Sequence, residues 1–179
     1  MNQQKKTVKL AKIAMLVAIS IILVYFIHIP IFPAVAFLEY DPADIPIMIG
    51  TFAFGPAAGV MITFVVSILQ GITVSSGSGV YGILMHIIAT SVFVIVAGNI
   101  YKRKKTKKDA IIALACGVAA WVVVMFLANL VITPLFMGVP RSLVWELMPF
   151  ILAFNAIKAG VNSVLTFLLY KRISGFLHK

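Results

Sequence analysis

Residues 45–101 read IPIMIGTFAFGPAAGVMITFVVSILQGITVSSGSGVYGILMHIIATSVFVIVAGNIY, without a single Arg, Lys, Asp or Glu. A helix crossing a bilayer needs about 20 apolar residues at about 1.5 Å rise each. The stretch is too long for one such helix, and it carries two breakers. FGPAAG at 54–59 and the glycine- and serine-rich GITVSSGSG at 71–79 divide it into helices at about 44–54, 57–73 and 80–101. The other uncharged stretches, 13–38, 110–140, 147–157 and 159–170, add helices at about 8–28, 110–133 and 146–171. The prolines of HIPIFP (28–33) stop the first helix, and TPLFMGVPR (133–141) separates the last two.

Composition agrees with that map. The chain is 62% hydrophobic and 11% charged, with a mean hydropathy of +1.10. Soluble domains carry about 25% charged residues. Five acids and fifteen bases are too few to cover a water-soluble globule this apolar, which excludes a cytosolic enzyme or a free nucleic-acid-binding domain. The single cysteine, Cys116, lies in an apolar run and offers neither a disulfide framework nor metal-ligand spacing.

The +10 net charge is concentrated in three places. Lys5, Lys6, Lys9 and Lys12 precede the first helix. Lys102, Arg103, Lys104, Lys105, Lys107 and Lys108 form one loop, and Lys171, Arg172 and Lys179 close the chain. Only Arg141 and Lys158 fall elsewhere. The positive-inside rule puts all three segments in the cytoplasm, so residues 13–101 hold two or four spans, and the breakers favour four. The expectation is an all-α membrane protein, one domain over 1–179, with six transmembrane helices and both termini cytoplasmic in a prokaryotic cell membrane. The 44–54 helix is too short to span unaided, so it should pack inside the bundle or tilt with its neighbour. Glu39, Asp41, Asp44 and Glu146 are then assigned to the outer face and Asp109 to the inner one. KRKKTKK has no interleaved aromatic residue to stack on bases, so it reads as a topology signal with affinity for anionic lipid rather than nucleic acid. The N-terminus has no small-residue cleavage site and does not read as a cleavable signal peptide.

Lys158 is the residue the bilayer tolerates least. It sits near the middle of the last helix, where a lysine costs about 2.5–3.5 kcal/mol, so it should face the protein interior or a wet cavity, with a functional role as the default reading. No acid is expected within the span to pair with it. Asn155 shares its face at i and i+3, and Asn162 continues that face at i+4. By rise per residue, Asn129 lies about 6 Å and Asn155 about 12 Å below the outer boundary. Amide and ammonium groups there suit a neutral polar ligand with carbonyl and ring-nitrogen acceptors, whereas Asn162, lying deeper, reads as interhelical glue. His86 has no second histidine or carboxylate one turn away, so no metal site is expected and a neutral histidine bonded to a neighbouring helix is. Ala14 and Ala18 share a face of helix one with Ala11, and spacing alone leaves open whether that face packs inward or toward another subunit.

Several motifs are missing. There is no G-x-x-x-x-G-K-[ST] phosphate loop, no H-E-x-x-H and no Ser/His/Asp set, so no catalytic residue is assigned. Intramembrane carboxylates are not expected, so a proton-coupled carrier would lack its relay. No internal repeat of the secondary-transporter kind is seen.

The order EYDPADIPIMIGTFAFGPAAGVMI, NLVITPLFMG and LMPFILAFNAIKAGVNSVL resembles the substrate-binding (S) components of energy-coupling-factor vitamin transporters, most of all the riboflavin-binding members. The specific parts are Asp44, Pro46, Ile49, Gly55, Pro56 and Gly59 in one block and Phe154, Asn155, Ile157, Lys158 and Gly160 in the other. The resemblance implies a six-helix binder that captures riboflavin at the outer face and carries it as ligand, with no cofactor. It implies partners: a transmembrane coupling subunit and two cytoplasmic ATPases. It assigns Ala14 and Ala18 to docking of the coupling subunit, and Asn129, Asn155 and Lys158 to the isoalloxazine ring. The residues holding the ribityl chain do not carry over, so riboflavin against its phosphate stays open. The alternatives are an S component for folate, pantothenate or thiamine, or a small intramembrane enzyme or enzyme-complex subunit.

Overall fold

The computed structural model describes residues 3–178, with side chains described through Arg172; Lys179 of the closing basic segment lies outside the described residues. The described residues form six α-helices: α1 Gln3–Phe26, α2 Asp44–Phe54, α3 Pro56–Ile72, α4 Gly79–Tyr101, α5 Lys107–Met137 and α6 Arg141–His178. The outer connection between α1 and α2 is not a plain loop. A two-stranded antiparallel ribbon pairs Ile29 with Tyr40 and Pro30 with Glu39. A short 3-10 turn, Pro33–Val35, buries Val35 against Val144, Met148 and Ile151 of α6.

Among the described residues four helices are long and apolar enough to cross a membrane: α1, α4, α5 and α6. The expectation of six spans is refined here, because α3 has 17 residues and α2 only 11. Eleven residues rise about 16 Å, roughly half of a hydrocarbon core about 30 Å thick. The short helix is placed inside the bundle, every residue from Asp44 to Phe52 being buried. Its start is fixed at mid-depth: Ser20 Oγ of α1 donates to the Ala43 carbonyl at 2.9 Å, and Thr90, halfway along α4, donates to Asp44 at 2.8 Å. From there α2 runs to the basic end, where Phe52 stacks on Tyr101 with centroids 4.2 Å apart.

The three basic segments gather at this one end. Lys9 lies over the Phe54 ring, Lys102 and Lys105 flank Gly55, and Lys107 and Lys171 share a crevice with Phe52 and Tyr170. The opposite end carries exposed Tyr25, Phe26 and Trp145, as an interfacial aromatic belt would. Between the ends, the outward faces are apolar: Phe64 and Ile68 on α3, Val123 and Leu127 on α5, Val164 and Leu168 on α6 are all exposed. Contiguous exposed apolar surface on this scale fits lipid contact and not water.

Helix ends also differ from expectation. α5 continues through Pro134 to Met137 and stops at Gly138, whose φ of 66° and N–H bond to the Pro134 carbonyl form a left-handed cap. The tight α2–α3 reversal needs Gly55 at φ 93°, and at Gly59 a Cβ would meet Thr51 Oγ1 at 2.1 Å. That contact makes a prediction. Gly59→Val should cost about 1–3 kcal/mol through overpacking. Gly160→Ala, which meets nothing within 4 Å, should be neutral or slightly stabilising. Thermal unfolding of the purified variants decides, and a Gly59→Val protein as stable as wild type would contradict the close α2–α3 packing.

Candidate functional site

Lys158 lies at mid-depth on α6 and is 7% exposed. Its ammonium is not alone: Nζ donates to Asp41 Oδ2 at 2.6 Å and stands 3.9 Å from Asp44 Oδ2. This corrects two sequence expectations at once. Asp41 and Asp44 are not on the outer face but buried, at 3% and 0% exposure, and carboxylates do lie within the membrane region. Glu39 and Glu146 remain exposed as expected. The physical reason is the shortness of α2, which draws the segment before it down to the middle of the bundle.

The buried carboxylates are held by a network of hydrogen bonds. Asp44 Oδ1 accepts from His86 Nε2 (3.1 Å) and Thr90 Oγ1 (2.8 Å), and Oδ2 accepts from Asn162 Nδ2 (3.3 Å). As the first residue of α2, its carboxylate also sits at the favourable end of the helix dipole. Asp41 Oδ1 accepts from the Ala43 N–H at 3.0 Å, closing a local turn, and the Asp41 carbonyl accepts from Asn162. Asn162 thus acts as glue, as expected, and Tyr40 completes it by donating to Oδ1 at 3.0 Å. Burial, and then the nearby Asp41 carboxylate, raises the Tyr40 hydroxyl above its usual range and keeps it a donor. His86 bridges α4 to two neighbours, with Nδ1 at 2.7 Å from Ser67 Oγ of α3. Among the described residues no metal-holding group of three ligands occurs.

Above this cluster opens a cavity of about 140 Å³ whose wall includes Asp41, His86, Trp121, Phe154, Asn155 and Lys158. Asn155 and Lys158 therefore share one site, as their i, i+3 spacing implied. Asn155 is oriented from both sides: its Oδ1 accepts from Trp121 Nε1 at 2.9 Å, and its Nδ2 donates to the Ile151 carbonyl at 2.8 Å. Trp121, buried and edge-on to Phe93, was not singled out by the sequence, where it sits unmarked in an apolar run. Asn129 does not join this wall. It lines an adjoining cavity of about 80 Å³ with Thr133 and Phe136, and the two cavities share Phe37, Leu38, Ser78, Gly82, Met85 and Met125. Asn129 Nδ2 donates to Met125 O and its Oδ1 accepts from Thr133. Counting donors, Asn129 and Asn155 each keep one amide hydrogen, and Lys158 keeps two, beyond these bonds. The site can thus offer hydrogen-bond donors beside an indole and a phenyl ring.

Ala14 and Ala18 line neither cavity. Both are exposed, on the side of α1 opposite buried Ile13, Leu16 and Ser20, so their face points out of the bundle.

A helical membrane bundle with a polar-and-aromatic cavity is the architecture of a membrane-embedded small-molecule binder. Residues 8–170 match the ECF transporter substrate-specific component family, and the chain belongs to that family of transporter components, not enzymes. It is similar to the riboflavin transporter RibU of Staphylococcus aureus (strain TCH60), at 33% identity over 184 residues covering 99% of this chain and 95% of that protein. The riboflavin transporter FmnP of Bacillus subtilis (strain 168) is 28% identical, with 97% and 96% covered. A solved S component of a bacterial ECF transporter superposes with a TM-score of 0.82 at 32% identity, covering 99% of this chain and all of that one.

The ion pair can be tested as structure. Removing one partner of a buried pair strands the other charge, so Lys158→Met should lower stability by about 3–5 kcal/mol. Adding Asp41→Asn should recover part of it. Unfolding midpoints of the two variants in detergent read this directly; a Lys158→Met protein melting with wild type would refute the structural role.

Proposed function

We propose that this chain is the riboflavin-binding S component of an ATP-driven ECF importer. The observation that carries the reading is the cavity wall itself: spare donors of Asn155 and Lys158 next to Trp121 and Phe154. Riboflavin is uncharged, presents carbonyl and ring-nitrogen acceptors along one edge, and has a flat aromatic face. Such a wall offers partners to both the edge and the face, and the relatives named riboflavin transporters support the same ligand. In this reading Asn155 and Lys158 contact the polar edge of the isoalloxazine ring, and Asn129 contacts the ligand from the adjoining cavity. Asp41 holds the Lys158 ammonium in place. Glu39 and Asp41 both line the cavity, which favours the uncharged vitamin over its phosphate and over anionic vitamins such as folate or pantothenate.

Binding is one half of the function; movement needs energy from elsewhere. The chain carries no phosphate loop, so a coupling subunit and two cytoplasmic ATPases supply the cycle. The outward face of Ala14 and Ala18 is where the coupling subunit docks, small side chains letting a partner helix approach closely. The whole chain works as one six-helix domain of a prokaryotic cell membrane, with both termini on the cytoplasmic side, where the basic segments gather.

Two outcomes are expected. Protein purified from a flavin-making host should be yellow, and in a panel of vitamins it should quench riboflavin fluorescence and ignore folate, pantothenate and thiamine. Colourless protein that leaves added riboflavin unquenched would sink the assignment. Ala14→Trp and Ala18→Trp should keep riboflavin binding, because both positions lie outside the cavity, yet lose co-purification with the coupling subunit and lose uptake. Normal uptake by both variants would remove the docking face from α1.

A further inference from the structure

The lysines of the basic end do not simply face water. Lys105 in the α4–α5 turn, Lys107 at the start of α5 and Lys171 near the end of α6 converge on one cavity of about 160 Å³. An adjoining cavity of about 170 Å³ takes in Lys102 and shares Lys105, Phe52 and Tyr101 with the first. The floor is aromatic and fixed. Phe52 stacks on Tyr101, Tyr170 stands edge-on to both, and the Tyr170 hydroxyl donates to the Phe52 carbonyl at 3.3 Å. Among the described residues no acid lines either cavity. Asp109, the acid nearest in sequence, accepts instead from the Thr106 hydroxyl.

Two features here are not needed to orient a membrane protein. The positive-inside rule counts lysines in a loop and is indifferent to where their side chains meet. Yet the Lys107 and Lys171 side chains lie against each other, although like charges repel. Lys105 is the one non-glycine residue with positive φ among the described residues, at 55°, its N–H bonding the Tyr101 carbonyl at 3.1 Å. A helix commonly ends on glycine at such a position, because a Cβ is strained there. A strained backbone that brings a charge to a cavity wall, and two ammonium groups set side by side, call for an anion between them.

We propose that this cavity binds a phosphate group, carried by a lipid headgroup or by a soluble phosphate compound. A phosphate presents acceptor oxygens in several directions at once, and Lys105, Lys107 and Lys171 approach it from three elements. Thr106 caps α5 at the same wall, so the positive end of the helix dipole adds to the field. An anion between Lys107 and Lys171 turns their repulsion into two attractions. The site lies at the other end of the bundle from the cavity above Lys158, and it stands apart from the riboflavin reading.

Pyrophosphate titrated calorimetrically into the full-length protein in neutral detergent tests the soluble source. Phosphatidylglycerol retained from mixed phosphatidylcholine–phosphatidylglycerol nanodiscs, counted by native mass spectrometry, tests the lipid one. Whichever anion binds, Lys105→Gly and Lys171→Gln should each weaken it about 2- to 5-fold, the worth of one exposed charge pair. Lys108→Gln, on the same basic segment but in neither cavity, removes an equal charge and should change binding little. Lys105→Gly should also melt at or above wild type, since glycine relieves the positive φ. Binding of neither anion overturns the site. An equal loss in Lys108→Gln overturns it too, because the attraction is then that of a diffuse basic surface. A Lys105→Gly protein that melts lower or does not fold removes Lys105 from the site, and Lys171→Gln against Lys108→Gln then decides the rest by the same criterion.

Discussion

The structure depends on the cost of placing charge in the middle of a membrane protein. Lys158 on α6 and Asp41 and Asp44 at the head of α2 would each be expensive alone, and together they are tolerable only in one arrangement. That arrangement requires the α2 N-terminus to sit at the depth of Lys158, with Thr90, His86 and Asn162 supplying the remaining bonds. Five elements, α2, α3, α4, α6 and the ribbon, converge on it through Asp44, Ser67, His86, Lys158 and Tyr40. A low-dielectric surrounding strengthens such bonds when every member is paired and penalises any gap. The cluster therefore fixes register between helices that apolar packing alone leaves free to slide.

The cavity follows from the same constraint. Because α2 fills only the basic half of the bundle, the half above Asp41 is lined by the ribbon, α3, α4, α5 and α6 without a central helix. The Pro33–Val35 turn covers part of that space by docking Val35 on α6. The ion cluster is thus the floor of the site as well as the fastening of the fold. One residue serves both roles: Lys158 is anchored by Asp41 and still faces the cavity with protons to spare.

Much of this was legible from charge and breakers. All six helices fall where the uncharged stretches and the FGPAAG and GITVSSGSG breakers put them, with α1, α5 and α6 longer at their polar ends. Asn155 and Lys158 could be placed on one face by spacing alone, whereas spacing could not show that Ala14 and Ala18 lie on the exposed side of α1. The acids were misplaced because Asp41 and Lys158 are 117 residues apart, and hydropathy assigns a charged residue beside an apolar run to the nearest boundary. A signal was nevertheless present. A helix of 11 residues that must end at the basic surface cannot begin at the opposite one, so Asp44 had to be deep. Trp121 carried no comparable mark, since an indole inside an apolar helix is common and only its neighbours reveal its use.

The molecule divides its surfaces by what each must avoid. The cavity wall needs rotamers locked by buried bonds, and Trp121–Asn155 and Asp41–Lys158 provide that on helices whose inner faces are packed. The outward stripe of α1 at Ala14 and Ala18 is the reverse, a surface with short side chains that make no part of either cavity. Ser20 and Val24 of α1 are buried toward the cluster and cavity while Ala14 and Ala18 point away, so the two requirements fall on opposite sides of one helix and at different depths. Packing at one can then change without disturbing the bonds that hold the other. That separation follows from helical periodicity alone.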